Sequence, residues 1–183
     1  MNRKEALESV RENVENQNLI KHMLAVEAVM RALARRWGED EETWGLTGLL
    51  HDIDVELTAG DIKFHSRLGA DLVRELGASE AMVQAILCHN PAHSIPCETR
   101  LDKALFCADP LTGLITAAVL VRSDKKLSGL SAKSVLRRFK ESRFAAGVDR
   151  EQIAACRELG LELDEFIELG LTAMGEIAPE LGL

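Results

Sequence analysis

The sequence predicts an all-α protein: a helical bundle with a metal site at its centre and a helical C-terminal extension. Apolar residues recur at three- and four-residue steps along most of the chain, as they do on one face of a helix. No stretch combines the apolar–polar alternation of a half-buried strand with turn residues. Histidines and aspartates fall on several of the apolar faces, and these polar residues indicate the metal site.

The length of 183 residues predicts one domain. We expect a metal-binding helical core over residues 1–122 and a helical extension over residues 123–183 packed on it. The net charge of −8 argues against general nucleic-acid binding. The four cysteines form no Cys-x-x-Cys pair, which favours free thiols over a zinc ribbon or a redox motif.

The sequence shows neither a signal peptide nor a membrane span, which favours a cytoplasmic protein. Acidic residues stand near the N-terminus, where a signal peptide needs an apolar stretch. The longest apolar run, residues 114–121, is far shorter than the ~20 residues that cross a bilayer. The sequence therefore predicts no membrane association.

The first predicted helix carries His22 at the edge of its apolar stripe. Gly38 suits the end of this helix, because glycine readily adopts the left-handed conformation that follows a last turn. The stripe runs through Leu19, Met23, Val26, Met30, Leu33 and Trp37.

Three more helices are predicted before residue 91. The second begins near Trp44 and ends near the pair His51-Asp52. The third is closed by Gly77, and the fourth is capped by Ser79 and stopped at Asn90-Pro91. One face of the third is expected to hold His65, Leu68, Gly69, Leu72 and Leu76, and the inner face of the fourth Met82, Val83, Ile86 and His89.

The second half of the chain continues the helical pattern. Thr99 caps a fifth helix, which holds Asp109 and which Pro110 is expected to break or kink. Helices follow over residues 111–121 and 132–140. Two more are capped by Asp149 and Asp164 and end near residues 160 and 177. Residues 114–121 also suit a strand by composition, but their helical flanks favour a helix.

Six polar residues on different predicted helices or helix ends form the candidate metal site. In a helical bundle, facing helices project ligands inward in this way. Taken singly, each histidine is better explained as a hydrogen-bonded core residue or as a surface residue, and Asp109 as a carboxylate at a helix end before proline. These explanations do not account for the ordered set. Imidazoles and carboxylates without a thiolate pair suit iron, manganese, zinc or magnesium. The set is His22, His51, Asp52, His65, His89 and Asp109.

This ordered set resembles the H…HD…D signature of the HD-domain metal-dependent phosphohydrolase superfamily. His22, the doublet His51-Asp52 and Asp109 match the signature, and His65 and His89 resemble the further histidines of the binuclear branches, including the HDIG type. Aspartate stands at position 54, where the HDIG type has glycine. A chain without tyrosine excludes the HD-GYP branch.

The resemblance implies a phosphohydrolase that cleaves a phosphate ester of a nucleotide or another small molecule, as a phosphomonoesterase or a phosphodiesterase. It implies a centre of one or two divalent ions, with Fe or Mn favoured and Zn, Mg, Ni and Co as alternatives. Asp52 would bridge two ions and so take part in catalysis. His22, His51 and Asp109 would complete one site, and His65 and His89 the other. A hydroxide held by the metal would attack phosphorus.

Two pairs of charged residues lie close to these positions in the sequence. Lys63 and Arg67 flank His65 and are candidates for the catalytic cation that stabilises charge on the phosphoryl oxygens, the alternative being ordinary surface charge. Asp54 and Glu56 are interpreted as solvated loop acids, the alternative being that they orient a water or an imidazole.

Other functions stay open beside hydrolysis. They are a di-iron HD-domain oxygenase, a non-catalytic sensor module that binds nucleotide or metal, and a plain helical bundle. We expect a small phosphorylated substrate as partner. The amphipathic tail from Asp149 either closes the core or forms a homodimer. Residues 122–143 are strongly basic, which fits either a solvated face or a cationic rim near an anionic substrate.

Overall fold

Ten α-helices and two short 3₁₀ segments make up the structure, a computed structural model that describes all 183 residues and contains no strand. The predicted all-α class is confirmed. The helices are α1 (Arg3–Asn13), α2 (Gln17–Trp37), α3 (Glu41–Leu50), α4 (Arg67–Glu75), α5 (Glu80–Cys88), α6 (Arg100–Leu120), α7 (Ala132–Phe139), α8 (Arg150–Ala154), α9 (Leu163–Glu176) and α10 (Ala178–Leu181). The 3₁₀ segments are Pro91–His93 and Ala155–Leu159.

Two long helices, α2 and α6, form the centre of the bundle and pack against each other. Helix α2 also packs on α3 and α9, and α6 on α5, α8 and α9. By length and composition α6 is apolar enough to cross a membrane, but 61% of its most apolar 18-residue window is buried inside the protein. Helix α6 is thus the core helix that carries Asp109 to the centre.

The segment after residue 122 packs on this centre. Helix α9 contacts α2, α6 and α7. A single apolar cluster of 44 buried residues extends from Ala6 to Leu181, so the apolar core includes residues from both segments. The division at residue 122 stays a prediction.

Side-chain caps begin several helices where the sequence predicts them. Ser79, Thr99 and Asp149 each accept a hydrogen bond from a backbone N–H in the first turn of the helix that follows. Helix α2 ends at Gly38, which has φ of 68°. These short-range sequence patterns therefore predict the correct first or last residues of several helices.

Helix α1 is absent from the sequence prediction although its signal is present. Asn2 and Glu5 form a capping box in which each side chain bonds the other residue's backbone N–H. Ala6 and Val10, four residues apart, are its buried positions. The prediction for α9 is wrong by a few residues, because Glu162 rather than Asp164 is its N-cap.

Pro110 does not divide the fifth predicted helix from the sixth. Helix α6 runs without a break from Arg100 to Leu120. A proline within a helix removes one backbone hydrogen bond, and burial on both sides of it offsets that loss. Leu105, Ala108 and Leu111 continue one fully buried stripe past the proline.

His65 lies in a turn-rich connection, not on the face of a helix as predicted. The connection between α3 and α4 ends at Ser66, which has a left-handed φ of 67°, and α4 begins at Arg67. The buried face of α4 is Gly69, Ala70 and Val73, whereas Leu68 is exposed. The predicted face is therefore confirmed in part, because Gly69 is buried and Leu72 and Leu76 pack against the core, but Leu68 does not belong to it.

Candidate metal centre

The six predicted ligands come from five parts of the fold and meet at one point. His22 lies in α2 and Asp109 in α6, so the two central helices each provide one side chain. His51 and His89 are the residues that follow the last turns of α3 and α5. Asp52 follows His51, and His65 comes from the connection before α4.

The carboxylate of Asp52 is the centre of the cluster. Its Oδ1 atom lies 3.4 Å from His51 Nε2, 3.3 Å from His65 Nε2 and 3.5 Å from His89 Nε2. Its Oδ2 atom lies 3.7 Å from His22 Nε2. All four imidazoles therefore present the same ring nitrogen to a single aspartate.

Asp109 closes the side of the cluster that faces α2. Its Oδ1 atom lies 3.1 Å from His22 Nε2 and 3.9 Å from His51 Nε2. The ligand atoms of His22, His51 and Asp109 lie within 4.8 Å of one another, and so do those of His51, Asp52 and His89. The cluster thus contains two overlapping triads that share His51.

Backbone carbonyls orient two of the imidazoles. His51 Nδ1 donates to the carbonyl of Gly48 at 2.8 Å, and His89 Nδ1 donates to the carbonyl of Ile86 at 2.6 Å. Each imidazole bonds the residue three positions earlier, at the end of its own helix. A hydrogen on Nδ1 leaves the Nε2 lone pair free for a metal.

Side chains orient the other two imidazoles. His65 Nδ1 donates to Asp54 Oδ1 at 2.8 Å. Thr112 donates its hydroxyl to the carbonyl of Asp109 at 2.9 Å and accepts from His22 Nδ1 at 3.1 Å. Outer partners of this kind fix the tautomer and the ring orientation of metal-binding histidines.

The buried Nε2 atom of His51 has no hydrogen-bond partner in the protein. A buried polar atom without a partner is costly, and here its lone pair is directed at two carboxylates. A divalent cation among these atoms would satisfy the imidazole and neutralise the acids. The nitrogen and oxygen donors present therefore fit a divalent metal, which the two triads could hold, and a ligand role for His65 stays a prediction.

The clustered charges shift several pKa values. Burial lowers the pKa of His89, but the hydrogen bond to Asp52 and the charges of Asp52 and Asp109 outweigh burial and raise it to about 9. The pKa of His22 is raised for the same reasons, with Asp109 as its main partner. Burial dominates at His51 and lowers its pKa. Despite burial, the surrounding imidazoles lower the pKa of Asp52 and Asp109.

Asp54 is not the solvated loop acid that the sequence suggests. Its side chain is fully buried and accepts hydrogen bonds from His65 Nδ1 and from the backbone N–H groups of Ser66 and Gly69, each at 2.8 Å. Asp54 therefore orients the imidazole of His65, as the alternative interpretation proposed. It also caps the start of α4.

Glu56 has a structural role away from the cluster. Its carboxylate accepts from the backbone N–H groups of Glu15 and Asn16, at 2.6 and 3.1 Å. These residues join α1 to α2, so Glu56 fixes the entry to the helix that carries His22.

Lys63 and Arg67 are both exposed, and neither forms an ion pair with Asp52 or Asp109. Arg67 Nε donates to His93 Nδ1 at 3.2 Å, and His93 Nε2 donates to the carbonyl of His65 at 2.7 Å. Arg67 thus supports the connection that carries His65. Its catalytic role, and that of Lys63, stays a prediction.

A cavity of about 430 Å³ opens beside His22, and Lys21 lines it. Sequence reasoning missed this lysine, although a helical spacing contained the signal. Asn18, Lys21, His22 and Ala25 follow one another at intervals of three, one and three residues, which places them on one side of α2 and in the wall of the cavity.

The basic stretch after α6 contains several ion pairs. Arg122 pairs with Asp124 at 2.9 Å, and Arg138 pairs with Glu141 at 2.6 Å. Arg137 reaches Glu141 at 4.0 Å. Part of the positive charge of the basic stretch is therefore balanced by nearby acidic residues, as on a solvated helical face.

This chain matches one protein family and is similar to curated relatives. A family model described as the HD domain matches residues 19–114, which contain all six clustered residues. Ribonuclease Y of Oleidesulfovibrio alaskensis is 27% identical over 175 residues, covering 88% of this chain and 33% of the relative. Ribonuclease Y of Lawsonia intracellularis is 30% identical over 97 residues, covering 53% and 18%. The chain spans a third or less of these relatives, and no solved structure matches it significantly.

Proposed function

Since the chain belongs to the HD domain family, we propose that it is a phosphohydrolase that uses one or two divalent metal ions to cleave a phosphate ester of a nucleotide or another small molecule. The family is generally one of metal-dependent hydrolases. The small phosphate ester as substrate is the specific part of this proposal.

One observation carries this proposal. Four imidazoles present Nε2 to the carboxylate of Asp52 at 3.3–3.7 Å, while each Nδ1 is engaged by an acceptor outside the cluster. A structural core would instead satisfy both nitrogens of a buried histidine, and His51 Nε2 has no such partner. The arrangement therefore favours a cation binding site over a set of packed core residues.

The bound metal would supply Lewis-acid charge at the phosphoryl oxygens and a lowered pKa for water. We propose Fe or Mn as the resident ion, because the donors are imidazoles and carboxylates without a thiolate, with Zn, Mg, Ni and Co as the alternatives. His51 and His89 are almost completely buried, whereas His22, His65 and Asp109 are partly exposed. We propose that the substrate approaches from the His22 side, because a cavity opens there.

A phosphate-release assay tests the proposal. The protein is stripped with a chelator, reloaded with Mn or Fe, and given nucleoside monophosphates, cyclic nucleotides and a generic phosphodiester. We expect hydrolysis only after reloading and a loss of at least 1,000-fold in Asp52→Asn, on the order of the several kcal/mol that metal catalysis supplies. Asp71→Asn is the matched control, because Asp71 is an exposed aspartate on α4 that pairs with Arg74.

The alternatives make different predictions in the same assay. A protein that binds metal stoichiometrically and a nucleotide tightly but releases no phosphate would be a sensor module, and the proposal would be wrong. Substrate-dependent oxygen uptake with two irons bound would identify an oxygenase. The relatives carry the name ribonuclease Y, so a single-stranded RNA oligonucleotide belongs in the panel. Cleavage of the RNA alone would show phosphodiesterase chemistry and overturn the assignment to small esters.

A further inference from the structure

The cavity beside His22 adjoins the candidate metal centre, because His22 lines the cavity and its Nε2 atom lies 3.1 Å from Asp109 Oδ1. Helices α2 and α6 form its walls, and residues near the end of α10 close it. Its volume of about 430 Å³ falls within the range of roughly 300–1,000 Å³ that is usual for small-molecule sites. A ligand in this space would lie directly against the ring of His22.

Lys21 is the only lysine or arginine that lines the cavity, and no aspartate or glutamate side chain lines it. Lys21 forms no ion pair within the protein, although the chain carries a net charge of −8. Its ammonium group lies over Gly182, where an added Cβ would be 2.9 Å from Nζ. Lys21 is half-buried, and the position of its Nζ atom beside Gly182 places the charge at the cavity.

The rest of the cavity offers both polar and apolar contacts. Asn18 and Thr116 supply an amide and a hydroxyl, whereas Ala25, Ala117 and Leu120 supply an apolar wall. Leu120 is 52% exposed and is among the few large apolar side chains left open to solvent. A mostly apolar lining with a few polar groups is typical of a small-molecule site.

We infer that this cavity is the substrate subsite of the metal centre and that Lys21 binds an anionic oxygen of a phosphate ester there. The uncharged organic part of the ester packs on Ala117 and Leu120. This inference rests on the proposed function, and it adds the ligand class and the residue that selects it. The cavity volume of about 430 Å³ suits one small molecule with a single compact organic group.

Lys21→Met tests the charge, because methionine keeps much of the apolar stem and removes the ammonium group. Loss of one charge-assisted contact is expected to raise KM for the phosphate ester roughly 10- to 100-fold, with kcat much less changed. The affinity of the Mn-loaded protein for inorganic phosphate, measured by calorimetry, should fall by the same factor. The Mn content should stay unchanged, since Lys21 is not a ligand.

Two further variants separate charge from shape. Lys4→Met removes an exposed lysine of α1 that lies outside the cavity, and KM should stay within twofold of the wild-type value. Ala117→Phe narrows the apolar wall, so it should raise KM more for a nucleotide than for a small alkyl phosphate. Lys63→Met is included because Lys63 is the competing cation.

The outcomes distinguish this inference from the proposed function. If no ester is hydrolysed, the proposed function fails, but the phosphate affinities of wild type and Lys21→Met still test the subsite. A wild-type protein that binds no phosphate would overturn the inference, and so would a Lys21→Met protein whose KM and phosphate affinity stay within twofold of wild type. A larger effect in Lys63→Met than in Lys21→Met would assign the anion to the other side of the centre.

Discussion

His65 Nδ1 donates to Asp54 Oδ1 at 2.8 Å, and the same carboxylate accepts two backbone N–H groups at the start of α4. One buried side chain thus couples the orientation of a candidate ligand to the path of the connection that carries it. The dependence of His65 on Asp54 is a property of the folded chain that can be tested by substitution.

Asp54→Asn should weaken metal binding by about 10- to 100-fold, the range for partners of metal ligands. Asparagine keeps one acceptor oxygen but loses the negative charge that holds the Nδ1 hydrogen of His65. The measurement is a Mn titration of the metal-free protein. Glu56→Gln is the control, since Glu56 bonds only the α1–α2 connection and should leave the Mn affinity unchanged. Equal affinities in all three proteins would refute a role for Asp54 in orienting His65.

Thr112→Val should lower the metal affinity about tenfold, because valine cannot accept the Nδ1 hydrogen of His22. Thr47→Val is a matched control: Thr47 is also fully buried, but its hydroxyl bonds only the carbonyl of Thr43 in its own helix. Both variants should lose similar folding stability, so a difference in metal affinity reports on the contacts of Thr112 with His22 and Asp109. A tenfold loss in Thr47→Val as well would show a general packing effect instead.

Metal affinity should rise with pH up to about 9. Without metal, the pKa of His89 is raised to about 9, so its imidazole carries an extra proton at neutral pH, and the pKa of His22 is raised as well. A metal ion must displace such a proton, so the metal affinity is lower at a pH below the pKa of the imidazole. Each displaced proton makes binding about tenfold tighter per pH unit. Calorimetry in buffers of different ionisation enthalpy counts the released protons, and a count of zero at pH 7 would contradict these pKa shifts.

Gly48→Ala should destabilise the fold by about 1–3 kcal/mol, because the new Cβ would lie 3.0 Å from the backbone of Glu27 where α3 crosses α2. The carbonyl of Gly48 also orients His51, so the same shift disturbs the cluster. Gly175→Ala has its nearest contact at 3.9 Å and should stabilise α9 by up to about 1 kcal/mol. Urea denaturation compares the two variants, and equal stabilities would refute the close approach of α2 and α3.

The sequence predicted the helical class, most of the helix ends and the six residues that cluster at the centre. Caps such as Ser79 and Thr99 act within one helical turn, so their spacing is visible in the chain itself. His22 and Asp109 stand out because each is a polar residue within a long apolar helix. Local periodicity together with the resemblance to the HD-domain signature therefore identifies the side chains that enter the centre.

The supporting partners depend on contacts between distant parts of the chain. Thr112 meets His22 across 90 positions, and Asp54 is buried only because the connection folds back onto α4. Their spacing in the sequence carries no such information, so Asp54 was taken for a loop acid and Thr112 was not singled out. The cavity at Lys21 likewise exists only where α2, α6 and the end of α10 meet.

Elemental analysis of the purified, untreated protein tests the metal centre most directly. Wild-type protein should contain one or two divalent ions per chain, and Asp52→Ala should contain only traces while keeping its helical circular dichroism. A folded wild-type protein without bound transition metal, and without uptake of Mn or Fe on reloading, would contradict the assignment of the six clustered side chains as metal ligands.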